Sequence, residues 1–129
     1  MPVAVVAGPE AWVLADADEL RRAVDNLIAN AVRHATSRVE LAADLHRDEV
    51  VLTVRDDGPG VAEPDRERVF ERFTRLDDAR ARDLGGSGLG LPIVRELVRR
   101  AGGEVYLTDA DPPWQLAAVI RLPKARSTS

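Results

Sequence analysis

At 129 residues with a formal net charge of -4, the chain has room for one compact domain and not for two independent cores. Hydrophobic residues make up 45% and charged residues 31%, which excludes a disordered tail. The acidic balance, with arginines scattered among acids, argues against a nucleic-acid partner. With no cysteine, disulfides, thiol nucleophiles and thiolate metal sites are excluded, and no apolar run approaches a membrane span.

In chain order, Val3–Val6 and residues 12–14 are short apolar runs separated by Gly8-Pro9 and read as edge strands. Asp16 has the chemistry of a helix N-cap, with Glu19 as its reciprocal partner in a capping box. Leu20, Val24, Leu27, Ile28, Ala31 and Ala35 then recur at spacings of three and four, the buried stripe of a long amphipathic helix that Thr36 and Ser37 close. Val39, Leu41, Ala43 and Leu45 alternate as a half-buried strand. A polar turn over 46–49 leads to a second strand over 50–54, so the two form an antiparallel hairpin ending at Asp56-Asp57-Gly58-Pro59-Gly60.

Residues 65–84 are rich in arginines and acids. A short helix is expected in their first part and an exposed loop over 77–86. Gly85-Gly86-Ser87-Gly88-Leu89-Gly90 opens a second amphipathic helix, with Leu89, Ile93, Leu97 and Ala101 on one stripe, Val94 and Val98 beside it, and Gly102-Gly103 at its end. Pro92 is tolerable only in the first turn of that helix. Strands over 105–107 and 116–122 follow, joined across 109–113, and 124–129 reads as a frayed tail. The fold class is α/β: a two-layer sandwich in one domain, 1–129, with both helices on one face of a mixed sheet and the other face open to solvent.

Three places have the chemistry of a binding site. Asn26 and Asn30 lie four apart on the first helix and share a face with Arg22 and Arg33 nearby. Amide oxygens beside arginines suit anions together with a hard divalent cation, whereas the plainer reading is two solvated amides. Asp56, at a strand end before glycines that let a backbone approach closely, can accept from an exocyclic amine such as that of adenine; many ordinary turns look the same. Gly86-Ser87-Gly88-Leu89-Gly90 at a helix start offers free N–H groups to a phosphate. It is not a P-loop, since Leu91-Pro92 follows where Lys-Ser/Thr is required, nor a dinucleotide fingerprint, since no first strand precedes it. His34, one turn past Asn30, either lines this site or is surface, and His46 is a surface residue. The histidines and acids show no zinc-ligand spacing, and Ser87 and Ser37 lack the nucleophile-elbow context of a hydrolase.

Taken together and in order, these segments resemble the catalytic and ATP-binding domain of sensor histidine kinases, a branch of the fold shared by type II topoisomerases, Hsp90 chaperones and MutL. The resemblance runs over about 13–123. Leu27-Ile28-Ala29-Asn30-Ala31-Val32-Arg33-His34 is similar to the N box, Asp56-Asp57-Gly58-Pro59-Gly60 to the G1 box, Val69-Phe70-Glu71-Arg72-Phe73 to the F box, and Gly86-Ser87-Gly88-Leu89-Gly90-Leu91 to the G2 box. The resemblance implies a Bergerat-type fold binding ATP and Mg²⁺. It makes Asn30 the metal-binding residue with Asn26 in support, Arg33 a phosphate contact, His34 a neighbour of the ribose or phosphates, and Asp56 the acceptor for the adenine amine. Gly58 and Gly60 belong to the adenine turn, and Ser87, Gly88, Leu89 and Gly90 wrap the triphosphate. The ATP lid is expected over about 72–86, with Arg72, Arg75, Arg80 and Arg82 as sources of charge.

Departures from the family pattern refine that expectation. Asn26 stands where the ATP-hydrolysing relatives have a Glu that activates water, which favours transfer to a histidine over hydrolysis. Ser87 replaces the commoner Thr and keeps its hydroxyl, Ala101 stands where many members have His, and Pro92 replaces a small residue. On the resemblance, Asn30 and Arg33 serve γ-phosphoryl transfer to a histidine on a dimerisation domain that precedes this one, with relay to an aspartate of a response regulator. The chain is then expected to be an excised piece of a longer kinase, or else a naturally split one. It would be monomeric alone, homodimeric in its parent, and the cytoplasmic part of a membrane-anchored bacterial sensor. The alternative is a regulatory module that binds a sigma factor and phosphorylates it on serine.

Overall fold

A computed structural model describes residues 3–6, 13, 15–71 and 90–124. The first helix, α1 (Ala17–His34), begins where Asp16 accepts from the Asp18 and Glu19 N–H groups at 2.9 and 3.0 Å, satisfying donors that a helix start leaves free. Acids occupy its first turn, and Arg33 and His34 its last, each matched to the helix dipole. The capping box is only half made. Glu19 turns instead to Arg100, at 2.9 Å, at the end of the second helix.

Five strands form one sheet in the order β1-β2-β3-β5-β4: β1 (Val3–Val6), β2 (Val39–His46), β3 (Glu49–Asp56), β4 (Glu104–Asp109) and β5 (Leu116–Pro123). β1 and β2 are parallel, with α1 as their connection, and the other pairs are antiparallel. The mixed sheet is therefore as expected, but its strands run further. The hairpin turn tightens to Arg47-Asp48, with Arg47 at a φ of 57°. β3 continues through Arg55 to Asp56 because the alternation persists beneath the polar side chains: Val54 in, Arg55 out, Asp56 in. Val39, Asp56, Leu116 and Asp109 stand in one row at the end of the sheet.

The second helix, α2 (Gly90–Arg100), packs beside α1 on the sheet. The core between them is aliphatic: Ala23, Leu27 and Ala31 from α1, Val94, Leu97 and Val98 from α2, and Val54, Val105, Leu107, Ile120 and Leu122 from the strands. Each such Val, Leu or Ile contributes roughly 1.5–3 kcal/mol by leaving water. The two stripes are rotated from those expected. Ala23 is fully buried while Leu20 and Val24 flank it, and on α2 the line is Val94, Leu97 and Val98 rather than Ile93 and Ala101.

The opposite face of the sheet carries the ion pairs Arg55–Glu40 and Arg121–Glu49, with Tyr106 hydrogen-bonded to Arg121. Instead of a short helix after residue 62, two 3-10 turns occur, Glu63–Asp65 and Arg68–Phe70, the first opened by Pro64. Val13, within the second expected edge strand, makes an isolated bridge to Lys124, and Trp12 and Leu14 lie outside the described residues. Lys124, the first residue of the expected tail, is also tied by its N–H to the Asp48 carbonyl at 2.7 Å, and the rest of that tail lies outside the described residues.

Candidate functional site

Asp56 is only 5% exposed. One of its carboxyl oxygens, Oδ1, accepts from the Gly58 N–H at 3.0 Å, and its backbone carbonyl accepts from the Gln115 N–H at 2.9 Å. The other carboxyl oxygen has no hydrogen-bond donor among the described residues. Burial raises the Asp56 pKa, opposed by the Gly58 N–H. A buried acceptor with an unmet oxygen is costly unless a donor from outside completes it.

The turn that follows packs against the end of α1. A Cβ on Gly58 would stand 2.1 Å from the His34 carbonyl oxygen, so only glycine allows this approach. Gly60 has a φ of +79° and lies against the Gln115 side chain. Asp57 reaches across to the same helix end: Oδ1 accepts from the Thr36, Ser37 and Arg38 N–H groups at 3.0, 2.9 and 3.2 Å, and Oδ2 accepts from the Ser37 hydroxyl. The Ser37 hydroxyl, then its N–H, holds the Asp57 carboxyl well below the usual range.

Asn30 lies one turn before His34 on α1, with Asn26 one turn earlier; both are half-buried, while Arg22, Arg33 and His34 are exposed. Among the described residues, neither asparagine side chain makes a hydrogen bond. Two half-buried amides without protein partners fit a divalent ion that takes most of its ligands from elsewhere. The described residues contain no group of three or more His, Cys, Asp or Glu able to hold a metal.

The fold thus brings together Asp56, Gly58, Gly60 and the last turn of α1. Gly90 is the first residue of α2, and a Cβ there would meet no atom of the described residues within 4 Å. Arg72, Ser87, Gly88 and Leu89, and the expected lid with Arg75, Arg80 and Arg82, lie outside the described residues. Phe70 is buried, and the Arg95 guanidinium sits 4.7 Å over its ring while pairing with Glu67 at 2.6 Å. An open groove lined by Phe70, Pro92, Arg95 and Arg99 contains none of the expected ligand contacts.

Sequence reasoning missed Asp57, Gln115 and Arg66. Arg66 ties the Val61 carbonyl at 2.9 Å to Asp109 at 2.6 Å, joining the turn after β3 to the end of β4. Of the three, only Asp57 had a readable signal, since the hairpin register that pairs Val39 with Asp56 sets Asp57 against residue 38.

The family described as histidine kinase-, DNA gyrase B- and HSP90-like ATPase matches residues 15–126. This chain belongs to that family. It is 40% identical over 116 residues to the sensor histidine kinase CpxA of Escherichia coli strain K12, covering 89% of this chain and 25% of that protein. The mycobacterial sensor histidine kinase MprB superposes with a TM-score of 0.80 at 34% identity, covering 97% of this chain and 83% of that one. The ATP binding domain of PrrB from Mycobacterium tuberculosis gives 0.76 at 34% identity, covering 96% and 80%. Within the family the chain is an ATP-binding domain of the sensor-kinase branch, and it spans about a quarter of the length of CpxA. No described helix is long and apolar enough to cross a membrane.

Proposed function

We propose that this domain binds ATP between the end of β3 and the polar flank of α1 and donates the γ-phosphoryl group to a histidine on a separate dimerisation domain. The observation that carries the reading is Asp56, a buried carboxylate with one unmet oxygen, beside a glycine turn pressed against α1. The exocyclic amine of adenine is the donor that completes it. Asn30, supported by Asn26, holds Mg²⁺, which when bound neutralises phosphate charge. Arg33 contacts a phosphate, and His34 lies near the ribose or phosphates. Ser87, Gly88, Leu89 and Gly90 cradle the triphosphate, with Arg72 and the lid at its edge.

The acceptor imidazole nitrogen forms a bond to the γ-phosphorus as the bond from that phosphorus to the β,γ-bridging oxygen breaks. ADP leaves, and the imidazole loses its N–H proton. The phosphoryl group then passes to an aspartate of a response regulator. At position 26 an amide stands where a water-activating carboxylate would be needed, so the domain positions rather than hydrolyses. Neither histidine of the chain can serve as acceptor. His34 is held by the helix that carries Asn30, and His46 ends β2 at the hairpin turn. On this reading the domain is the cytoplasmic part of a membrane-anchored sensor that is a homodimer.

Incubation with γ-labelled ATP and Mg²⁺, with and without a dimerisation domain, tests the reading. The chain alone stays unlabelled, and acid-labile label appears on the added domain. Stoichiometric acid-labile label on the chain alone, lost in His34→Gln, overturns it.

A further inference from the structure

Asp57 is a carboxylate beside the site that no proposed nucleotide contact uses. It receives three consecutive N–H groups, from Thr36, Ser37 and Arg38, and one hydroxyl, so the turn after α1 closes around it as a small anion nest. All four bonds join segments about 20 residues apart in sequence. One side of the joint carries Asp56, the neighbouring residue. The other side is the chain leaving α1, one turn beyond Asn30. The second contact across the joint, Gly58 against the His34 carbonyl, resists approach but makes no hydrogen bond that resists separation. Asp57 supplies that restraint past the Val39–Asp56 pair, where the β2–β3 ladder ends.

We propose that Asp57 is a positioning residue that fixes the separation between the Asp56 carboxyl group and the Asn30 flank of α1, so that one nucleotide engages both together. The inference rests on the nucleotide reading above. A ligand gripped at two points gains affinity only when the two grips stand at the ligand's own span. Loosening the joint therefore weakens ligands that bridge it and spares those that touch one side.

The test compares Mg-ATP, which spans both sides, with adenosine, which reports the Asp56 side, in the parent chain, Asp57→Ala, Asp57→Asn and Ser37→Ala. Asp57→Ala weakens Mg-ATP by about tenfold, the worth of one net hydrogen bond, while adenosine shifts by less than about twofold. Asp57→Asn keeps an acceptor oxygen for the N–H groups and restores Mg-ATP to within about threefold of the parent. Ser37→Ala removes only the hydroxyl bond and shifts the ratio of the two affinities by about twofold, which preserves the test if Asp57→Ala does not fold. A purely structural role lowers the melting temperature with both affinities unchanged, and that result overturns the inference. Equal losses for Mg-ATP and adenosine also overturn it, since Asp57 would then act on the adenine side alone. If the parent binds neither ligand, the nucleotide reading falls and the inference falls with it.

Discussion

The two sides of the site are built differently. At the end of β3 the protein does nearly all the work: pairing on both sides holds Asp56, the Gln115 N–H and Gly58 N–H fix its atoms, and it is almost fully buried. Along α1 only the backbone is fixed, while the Asn26 and Asn30 side chains have no partner among the described residues and Arg33 and His34 are exposed. On the proposed reading, the contrast follows from what each side recognises. A neutral, rigid base is selected by one oriented acceptor in a desolvated place, where a wrong partner leaves a buried charge unmet. Phosphates and a metal ion bring their own charge and order the groups around them, so side chains there gain little from being locked beforehand.

Asp56→Asn should break the built side most. Loss of a charge-assisted hydrogen bond worth about 1.5–3 kcal/mol weakens adenine nucleotides roughly tenfold to a hundredfold, measurable by titration calorimetry. Stability should move the other way. Burial raises the Asp56 pKa above its unfolded value, so the folded state holds the proton more tightly and the parent loses stability as pH rises from the unfolded to the folded pKa. Above that window Asp56→Asn should melt no lower than the parent, and its relative advantage should vanish as pH falls below the unfolded pKa. Thermal melts across pH check the sign, and a mutant that melts several degrees lower at neutral pH would contradict it.

Gly58→Ala attacks the seam between the two sides. Its methyl group would fall 2.1 Å from the His34 carbonyl oxygen, and overpacking of this kind costs about 1–3 kcal/mol. The melting temperature should drop by several degrees, with weaker nucleotide binding in the molecules that stay folded. An unchanged melting curve would show that α1 and the turn are free to move apart.

The open side should yield a smaller and more specific loss. Asn30→Ala should remove most of the Mg²⁺ dependence of ATP binding, an effect of roughly tenfold for a group that ligates or orients the ion, and leave adenosine affinity intact. Asn26→Ala should do the same to a lesser degree. Titrations with and without Mg²⁺ separate these outcomes, and equal Mg²⁺ dependence in the parent and both variants would remove the asparagines from the metal.

Much of this architecture was legible because burial imposes periods. Leu27 and Ala31 mark α1, Leu41 and Leu45 mark β2, and Asp16 marks a helix start through its own side chain. Position along an element was less legible than its presence. Ala23 is fully buried although it is small and lies off the expected stripe, which a hydrophobic pattern does not register. Arg55 looked like a residue past the strand over 50–54, although the ladder runs through it to Asp56. Asp56 and Asn30 stood out as polar groups where local structure gives them no reason to be. Gln115 and Arg95 act through partners distant in sequence, and Glu19 turned to Arg100 instead of its own helix start, choices settled only by tertiary packing.

The strand order carries a consequence for the life history of the chain. β5 is the last of the five strands to leave the ribosome, yet it lies inside the sheet, between β3 and β4. Until it inserts, β3 is an edge, its Asp56 carbonyl lacks the Gln115 N–H, and the side chain proposed to meet adenine still faces water. A nascent chain therefore has no adenine site to offer. Nucleotide cannot template early folding and can only lock the completed sheet, adding stability in proportion to the logarithm of its concentration.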